Sequence, residues 1–238
     1  MSFGAVGILI SDFYESVTLA FIGLTLTFWG CLLFLVLPGK YVKSEVMNYL
    51  SISSLLAIDQ MITDSNVQGK PIYIPVLKES YLPIQMGVKN EFAYIPNIGV
   101  EEGKAIEQAF MRNSPGLRLT PPGLGLVNLM EKKFKQSFHN LNMDSLIETL
   151  PQIITQELEI ANKFRIRLEG NEVHVQIVKS VCEDLCKEAN KMQHICPYIG
   201  CPISSSIACI LTRVTNKPVI IERCSIRYNN IETCYRIL

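Results

Sequence analysis

Residues 17–37 (VTLAFIGLTLTFWGCLLFLVL) run for 21 positions without one charged side chain. A helix of that length, at about 1.5 Å per residue, spans about 31 Å and matches a hydrocarbon core of roughly 30 Å. The run therefore predicts a transmembrane helix over 17–38. A buried core helix fits less well, because core helices rarely run so long without a charge. A cleaved signal peptide also fits poorly: no basic residue precedes Lys40 to form an n-region, and the apolar run exceeds the usual h-region.

Charge sets the expected orientation. Residues 1–39 hold Asp12 and Glu15 but no Lys or Arg, whereas Lys40 and Lys43 follow directly on Pro38-Gly39. The positive-inside bias places 1–16 as a short extracytoplasmic tail and the rest of the chain in the cytoplasm. The expected protein is thus single-pass in the cell membrane, with the lipid bilayer as its first partner. Over the whole chain 22 basic residues balance 22 acidic ones, which removes a general electrostatic case for nucleic acid.

Three segments follow the apolar run. Over 39–65, Val46, Met47, Leu50, Leu55, Ile58, Met61 and Ile62 recur at mainly helical spacing, as in a juxtamembrane helix that packs on a domain. Over 66–122 prolines mix with β-formers, and Tyr-Ile-Pro occurs at 73–75 and again at 94–96. Prolines at that frequency confine strands to edges or short lengths, so this region predicts short strands, with a helix near 101–111.

Residues 123–238 read as an α+β domain. Helices are expected over 126–138 and 143–161, the second interrupted at Pro151. FRIRLEGNEVHVQIV alternates apolar with polar residues on either side of Gly170-Asn171 and predicts a hairpin. Helices over 181–192 and 202–214 follow. A second hairpin closes the chain, with Asn229-Asn230 as its turn. That turn sets Cys224 opposite Tyr235, Ile226 opposite Thr233, and Ser225 opposite Cys234, so Cys224 and Cys234 are not expected to bond. The expected fold class is α+β: one N-terminal transmembrane helix and a cytoplasmic domain whose antiparallel sheet of two hairpins packs against helices.

The chain has eight cysteines. Cys31 lies in the apolar run, and a cytoplasmic domain keeps the other seven reduced. Cys182, Cys186, Cys196 and Cys201 crowd into twenty residues with His194, a density that makes them candidate ligands for zinc or an iron–sulfur cluster. Their spacing is not the paired two-residue spacing of a zinc ribbon. Core packing is the other reading: Val181, Cys182, Leu185, Cys186, Ala189 and Met192 form one helical stripe, and Cys201, Ser205, Ala208, Cys209 and Thr212 form a small-residue face.

No residue nominates itself for catalysis. His174 falls on the polar face of a strand, and His139 and His194 fall near helix ends. The chain has neither a Gly-x-Ser-x-Gly elbow nor a Walker-type loop. Pro122-Gly123-Leu124-Gly125 reads as a loop and helix start. Lys132, Lys133 and Lys135 read as a solvated helix face without interleaved aromatic residues.

The last third of the chain carries a family pattern: the FRIRLEGNEVHVQIV hairpin, Cys196-Pro197 and Cys201-Pro202, a helix of small residues, the strand PVIIERC and the closing TCYRIL. It resembles the four-vinyl-reductase type of small-molecule-binding domain, which is related in fold to TRAPP core subunits. The resemblance includes Cys224 and Cys234. It departs at Asn229-Asn230, where that family has glycine, and at the first Cys-Pro, which an insertion displaces. It implies an antiparallel sheet with helices, a homodimer, and an apolar cavity for a hydrophobic small molecule or lipid. The whole layout also looks like uncharacterised membrane-anchored proteins of archaea, which brings no activity. The expected function is a membrane-anchored binding or sensor module without catalysis. The alternatives are an accessory subunit of a membrane complex and a cysteine-based metal or redox protein.

Overall fold

The computed structural model describes residues 14–36, 44–75, 91–111 and 113–238. The chain divides into two units, Met1–Ser44 and Glu45–Leu238.

In the first unit, helix α1 (Val17–Val36) carries no charge. Two hydroxyls fold back onto its own carbonyls, Thr25 to Phe21 O and Thr27 to Gly23 O, both at 2.7 Å. Phe21, Leu24, Phe28, Trp29 and Leu33 are exposed. Among the described residues, however, no helix is long and apolar enough to cross a membrane. This corrects the expected transmembrane helix over 17–38. It also corrects the placement built on that helix, a single-pass protein of the cell membrane with its N-terminus outside and its domain in the cytoplasm. Length and lack of charge had set the expectation; they are necessary for crossing a bilayer, not sufficient.

The second unit is α+β. Its described strands form one seven-stranded antiparallel sheet in the order β3-β2-β1-β6-β7-β5-β4. These strands are β1 (Ile72–Ile74), β2 (Phe92–Ile95), β3 (Leu117–Leu119), β4 (Ala161–Glu169), β5 (Glu172–Ser180), β6 (Val219–Arg227) and β7 (Asn230–Ile237). The two Tyr-Ile-Pro fragments end β1 and β2, which pair directly: Ile72 faces Tyr94, and Ile74 faces Phe92. Each proline closes its strand because it has no N–H to give the ladder. Residues 76–90 of the proline-rich region lie outside the described residues.

Helix α2 (Ser44–Ser65) drops Leu55 and Ile62 into the main core, with Ile52 and Ile58 beside them. Helix α3 (Glu102–Ala109) covers the other face of β1, β2 and β6, burying Ala105 and Ala109 against Ile72, Ile74, Tyr94 and Ile220. Helices α4 (Leu124–Phe134) and α5 (Met143–Gln152) lie on the main core. Pro151 cannot supply its helical N–H. The helix widens there into a turn over Ile153–Glu157, with Leu158 N donating five residues back to Ile153 O at 3.0 Å. The expected helix to residue 161 therefore stops short, and Ala161 starts β4.

After α6 (Glu183–Lys191) and a second wide turn (Ile195–Ile199) comes α7 (Pro202–Thr215), the middle of the structure. Every residue from Ile203 to Arg213 is buried. Its buried hydroxyls are all accounted for, as burial requires. Ser204 meets Thr233 Oγ1 at 3.2 Å, and Ser205 accepts Gly123 N–H at 3.1 Å. Ser206 and Thr212 each donate to a carbonyl three residues back, at 2.7 Å.

The closing hairpin turns at Tyr228-Asn229, one residue earlier than expected, and Tyr228 takes a φ of +49°. Cys224 thus faces Thr233, Ile226 faces Ile231, and Arg223 faces Cys234, with a bulge between Ile221 and Arg223. The register is shifted by two residues, so each side chain keeps its expected face. Cys224 and Cys234 lie on opposite faces of the sheet.

One end of the sheet is thus covered on both sides. On β4, β5 and β7, by contrast, only one face is packed. Phe164, Ile166, Val173, Val175, Ile177, Ile231 and Tyr235 are buried, while Arg165, Arg167, His174, Gln176, Glu232 and Cys234 point the other way.

Candidate functional site

The structure separates the four cysteines expected to share a metal into different pairs. Cys186 Sγ, from α6, lies 3.0 Å from Cys201 Sγ. Cys196, in the wide turn, meets Cys224 of β6 instead, at 3.4 Å. Cys182 caps α6, half-buried, and its backbone N–H donates to Ser180 Oγ at 3.2 Å. The Ser204 hydroxyl joins the two sulfur pairs, 3.5 Å from Cys201 and 3.6 Å from Cys224. Tyrosines frame this centre: Tyr235 donates to Ser204 O at 3.0 Å, and Tyr73 hydrogen-bonds Ser205 Oγ at 2.9 Å and donates to Ile199 O. Burial pushes both phenols well up, so both stay protonated.

Local sequence builds the centre. Gly200 closes the wide turn with a φ of +78°, and its N–H donates to Ile195 O at 2.7 Å. A side chain there would strain the backbone and meet Ile221. The next residue, Cys201, caps α7 ahead of Pro202 at the first helical position. Four donors converge on its sulfur: the Cys186 thiol, the Ser204 hydroxyl, and the Ser204 and Ile203 backbone N–H groups. Against the penalty of burial they bring it down to about 6. Cys186 is pushed well up, first because it donates to Cys201 and then by burial. The same asymmetry holds in the other pair, where Cys196 donates to Cys224 and lowers it. In each pair, then, the donating sulfur is shifted up and the accepting sulfur down.

The second feature is the uncovered face of β4-β5-β7-β6, which carries a groove of about 600 Å³. Register alone sets one row across its floor: Arg167 pairs with His174, His174 with Cys234, and Cys234 with Arg223. The next row runs Arg165, Gln176, Glu232, Ser225. Glu172 stands two residues from His174 on β5, on the same face. Its Oε2 is 3.5 Å from His174 Nε2 and 3.7 Å from Cys234 Sγ. Among the described residues, Glu172, His174 and Cys234 are the group whose donor atoms lie within 4.8 Å of one another. Cys234 is pushed up, first by burial and then by the neighbouring Glu172 carboxylate.

Two acids of the groove, Glu222 and Glu232, are already engaged. Glu222 pairs with Lys70 and with Arg236 Nε at 2.6 Å, and these cations hold its carboxyl below the usual range despite burial. Glu232 accepts from Gln176 at 3.2 Å and Asn230 at 2.8 Å. Arg167 and Arg223, in contrast, form no ion pair among the described residues.

Sequence reasoning placed His174 on a polar strand face but did not join it to Glu172 and Cys234. The i, i+2 spacing of Glu172 and His174 was visible. The pairing of β5 with β7, which skips β6, was not. His194 sits at a turn, where Asp59 accepts its backbone N–H at 2.8 Å. The Gly123 N–H is taken by Ser205, so Pro122-Gly123-Leu124-Gly125 is a helix start, as expected.

No curated protein and no solved structure matches the chain. A family model described as a domain of unknown function (DUF7982) matches residues 3–234, and the chain belongs to that family.

Proposed function

We propose that the chain is a non-enzymatic binding module that receives a small anion on the open face of its sheet. The observation that carries this is the pair of guanidiniums without an ion pair among the described residues, Arg167 and Arg223, at the two ends of one cross-strand row, with Glu222 and Glu232 beside it already engaged. The row spans three strand spacings of about 4.8 Å, so the two backbones stand about 14 Å apart. Both arginines line the groove between them. A guanidinium presents a planar fork that matches carboxylate or phosphate oxygens. Exposed ion pairs contribute only about 0–1 kcal/mol each, so both arms are needed and binding is weak and salt-sensitive.

Isothermal titration of metal-free protein with succinate and with inorganic phosphate is the test. At least one anion is expected to bind. Its affinity should fall about three- to fivefold in Arg167→Ala and in Arg223→Ala, and fall again as salt screens the site. Wild-type protein that binds neither anion, or variants that bind as wild type does, would sink the reading.

The sulfur pairs favour a second reading, a thiol-based redox element. Closing Cys186–Cys201 from 3.0 Å to a bond of about 2.05 Å needs a shift of only about 1 Å. With hydrogen peroxide as oxidant, two thiols lose two protons and two electrons to give one disulfide and two waters. Non-reducing peptide mass spectrometry after peroxide treatment should recover the Cys186–Cys201 cross-link and lose it in Cys201→Ser. Oxidation confined to Cys234 would count against this reading.

A further inference from the structure

We propose that Glu172, His174 and Cys234 form a site for a divalent ion of the zinc class, on the floor of the open groove. The ligand set is a carboxylate oxygen, an imidazole nitrogen and a thiolate sulfur, the donors such an ion takes. Tetrahedral bonds of about 2.0–2.3 Å place neighbouring donors about 3.3–3.8 Å apart. The nitrogen–oxygen distance of 3.5 Å and the sulfur–oxygen distance of 3.7 Å fall within that range before any ion is present. The three positions are fixed by strand register, not by a loop: two lie on β5, and the third is their cross-strand neighbour on β7. A second carboxylate, Glu169, has its Oε2 3.8 Å from the same imidazole nitrogen.

Binding replaces one proton. The Cys234 thiol releases H⁺ to solvent as the metal–sulfur bond forms, and the imidazole binds neutral. One carboxylate and one thiolate then balance the ion's two charges. The flanking charges of Arg167 and Arg223 remain free, and the ion's open coordination position faces the groove. An anion held by those guanidiniums would complete the coordination. This deepens the reading of the open face as a binding surface and rests on it for the anion alone, not for the ion.

Cobalt(II) chloride titrated into the metal-free full chain is the probe, because a cobalt–thiolate bond gives a near-ultraviolet charge-transfer band. One equivalent should produce the band. His174→Ala should weaken binding at least tenfold, and Cys234→Ser should remove the band while keeping the wild-type thermal midpoint in the metal-free state. Cys201→Ser and Cys224→Ser, which cripple the buried sulfur centre, should keep it. No band in wild type, a band that survives Cys234→Ser, or a band lost in Cys224→Ser would overturn the site. If the cobalt band stands but metal-free protein binds no anion, the anion reading falls and the ion site does not. The converse removes only the ion site.

Discussion

Gly123→Ala is expected to destabilise the fold by about 3–5 kcal/mol, a large part of the roughly 5–15 kcal/mol that holds a domain together. Gly123 caps α4 where that helix starts against the side of α7. A Cβ added there would fall 2.0 Å from Ser206 N, 2.5 Å from Ser206 Cα and 2.6 Å from Pro202 O. All three are backbone atoms of a buried helix, so no rotamer change relieves the clash and one helix has to move. Moving α4 also breaks the 3.1 Å bond from Gly123 N–H to Ser205 Oγ. Ser205 then loses a partner in a network that also holds Tyr73. Gly125, two residues on, is the control, since a Cβ there meets nothing within 4 Å. Gly125→Ala should be neutral or should stabilise by up to about 1 kcal/mol through helix propensity. Urea unfolding of both variants reads the difference. Equal midpoints would mean that α4 and α7 are not in contact at Gly123.

What the sequence revealed and what it hid follow one physical line. Period-two alternation around Gly170-Asn171 is a local signal, and β4 and β5 formed as expected. Pro202 marked the first turn of α7, and the small-residue face from Cys201 to Thr212 marked a close-packed helix. Contacts set by distant parts of the chain were not legible. The bulge between Ile221 and Arg223 answers to pairing with both neighbours, and a turn read from Asn229-Asn230 alone came out two residues off in register. The partner of Cys196 is on β6, beyond the cysteine-rich stretch that had drawn attention to Cys182. The Glu172, His174 and Cys234 group exists only because β7 inserts between β6 and β5. The charge-free run at 17–37 was the most visible feature, yet absence of charge is a statement about solvation, not about what a helix crosses.

Arg213 shows the same limit and carries the second large effect. In sequence it is a basic residue in the last turn of a helix, a position usually left to solvent. In the fold it is buried and holds three elements together. It pairs with Glu91 just before β2, at Nε and, at 2.9 Å, at Nη2. It also donates to Asn128 Oδ1 at 3.0 Å and pairs with Glu131 of α4 at 2.6 Å. Burial opposes its charge, but the two carboxylates hold its pKa above the usual range. Arg213→Met should cost about 3–5 kcal/mol, mostly because Glu91, 3% exposed, is left as a buried charge without a cation. Adding Glu91→Met should recover part of that loss, since an apolar pair of similar volume removes the stranded charge. Acid tests the same network. Burial pushes the Glu131 carboxyl up, yet the Phe138 N–H, Arg213 and Ser137 together hold it below the usual range. Its contribution is therefore complete above the ordinary carboxylate range and is lost as the pH falls through that range and below it. In Arg213→Met, Glu131 lacks one of the groups that hold it down, so less of its contribution is left to lose. The gap in urea midpoint between wild type and Arg213→Met should therefore narrow from about pH 7 to about pH 3. A gap that holds constant across that interval would show that packing of the Arg213 side chain, not its charge, joins α4, α7 and the start of β2.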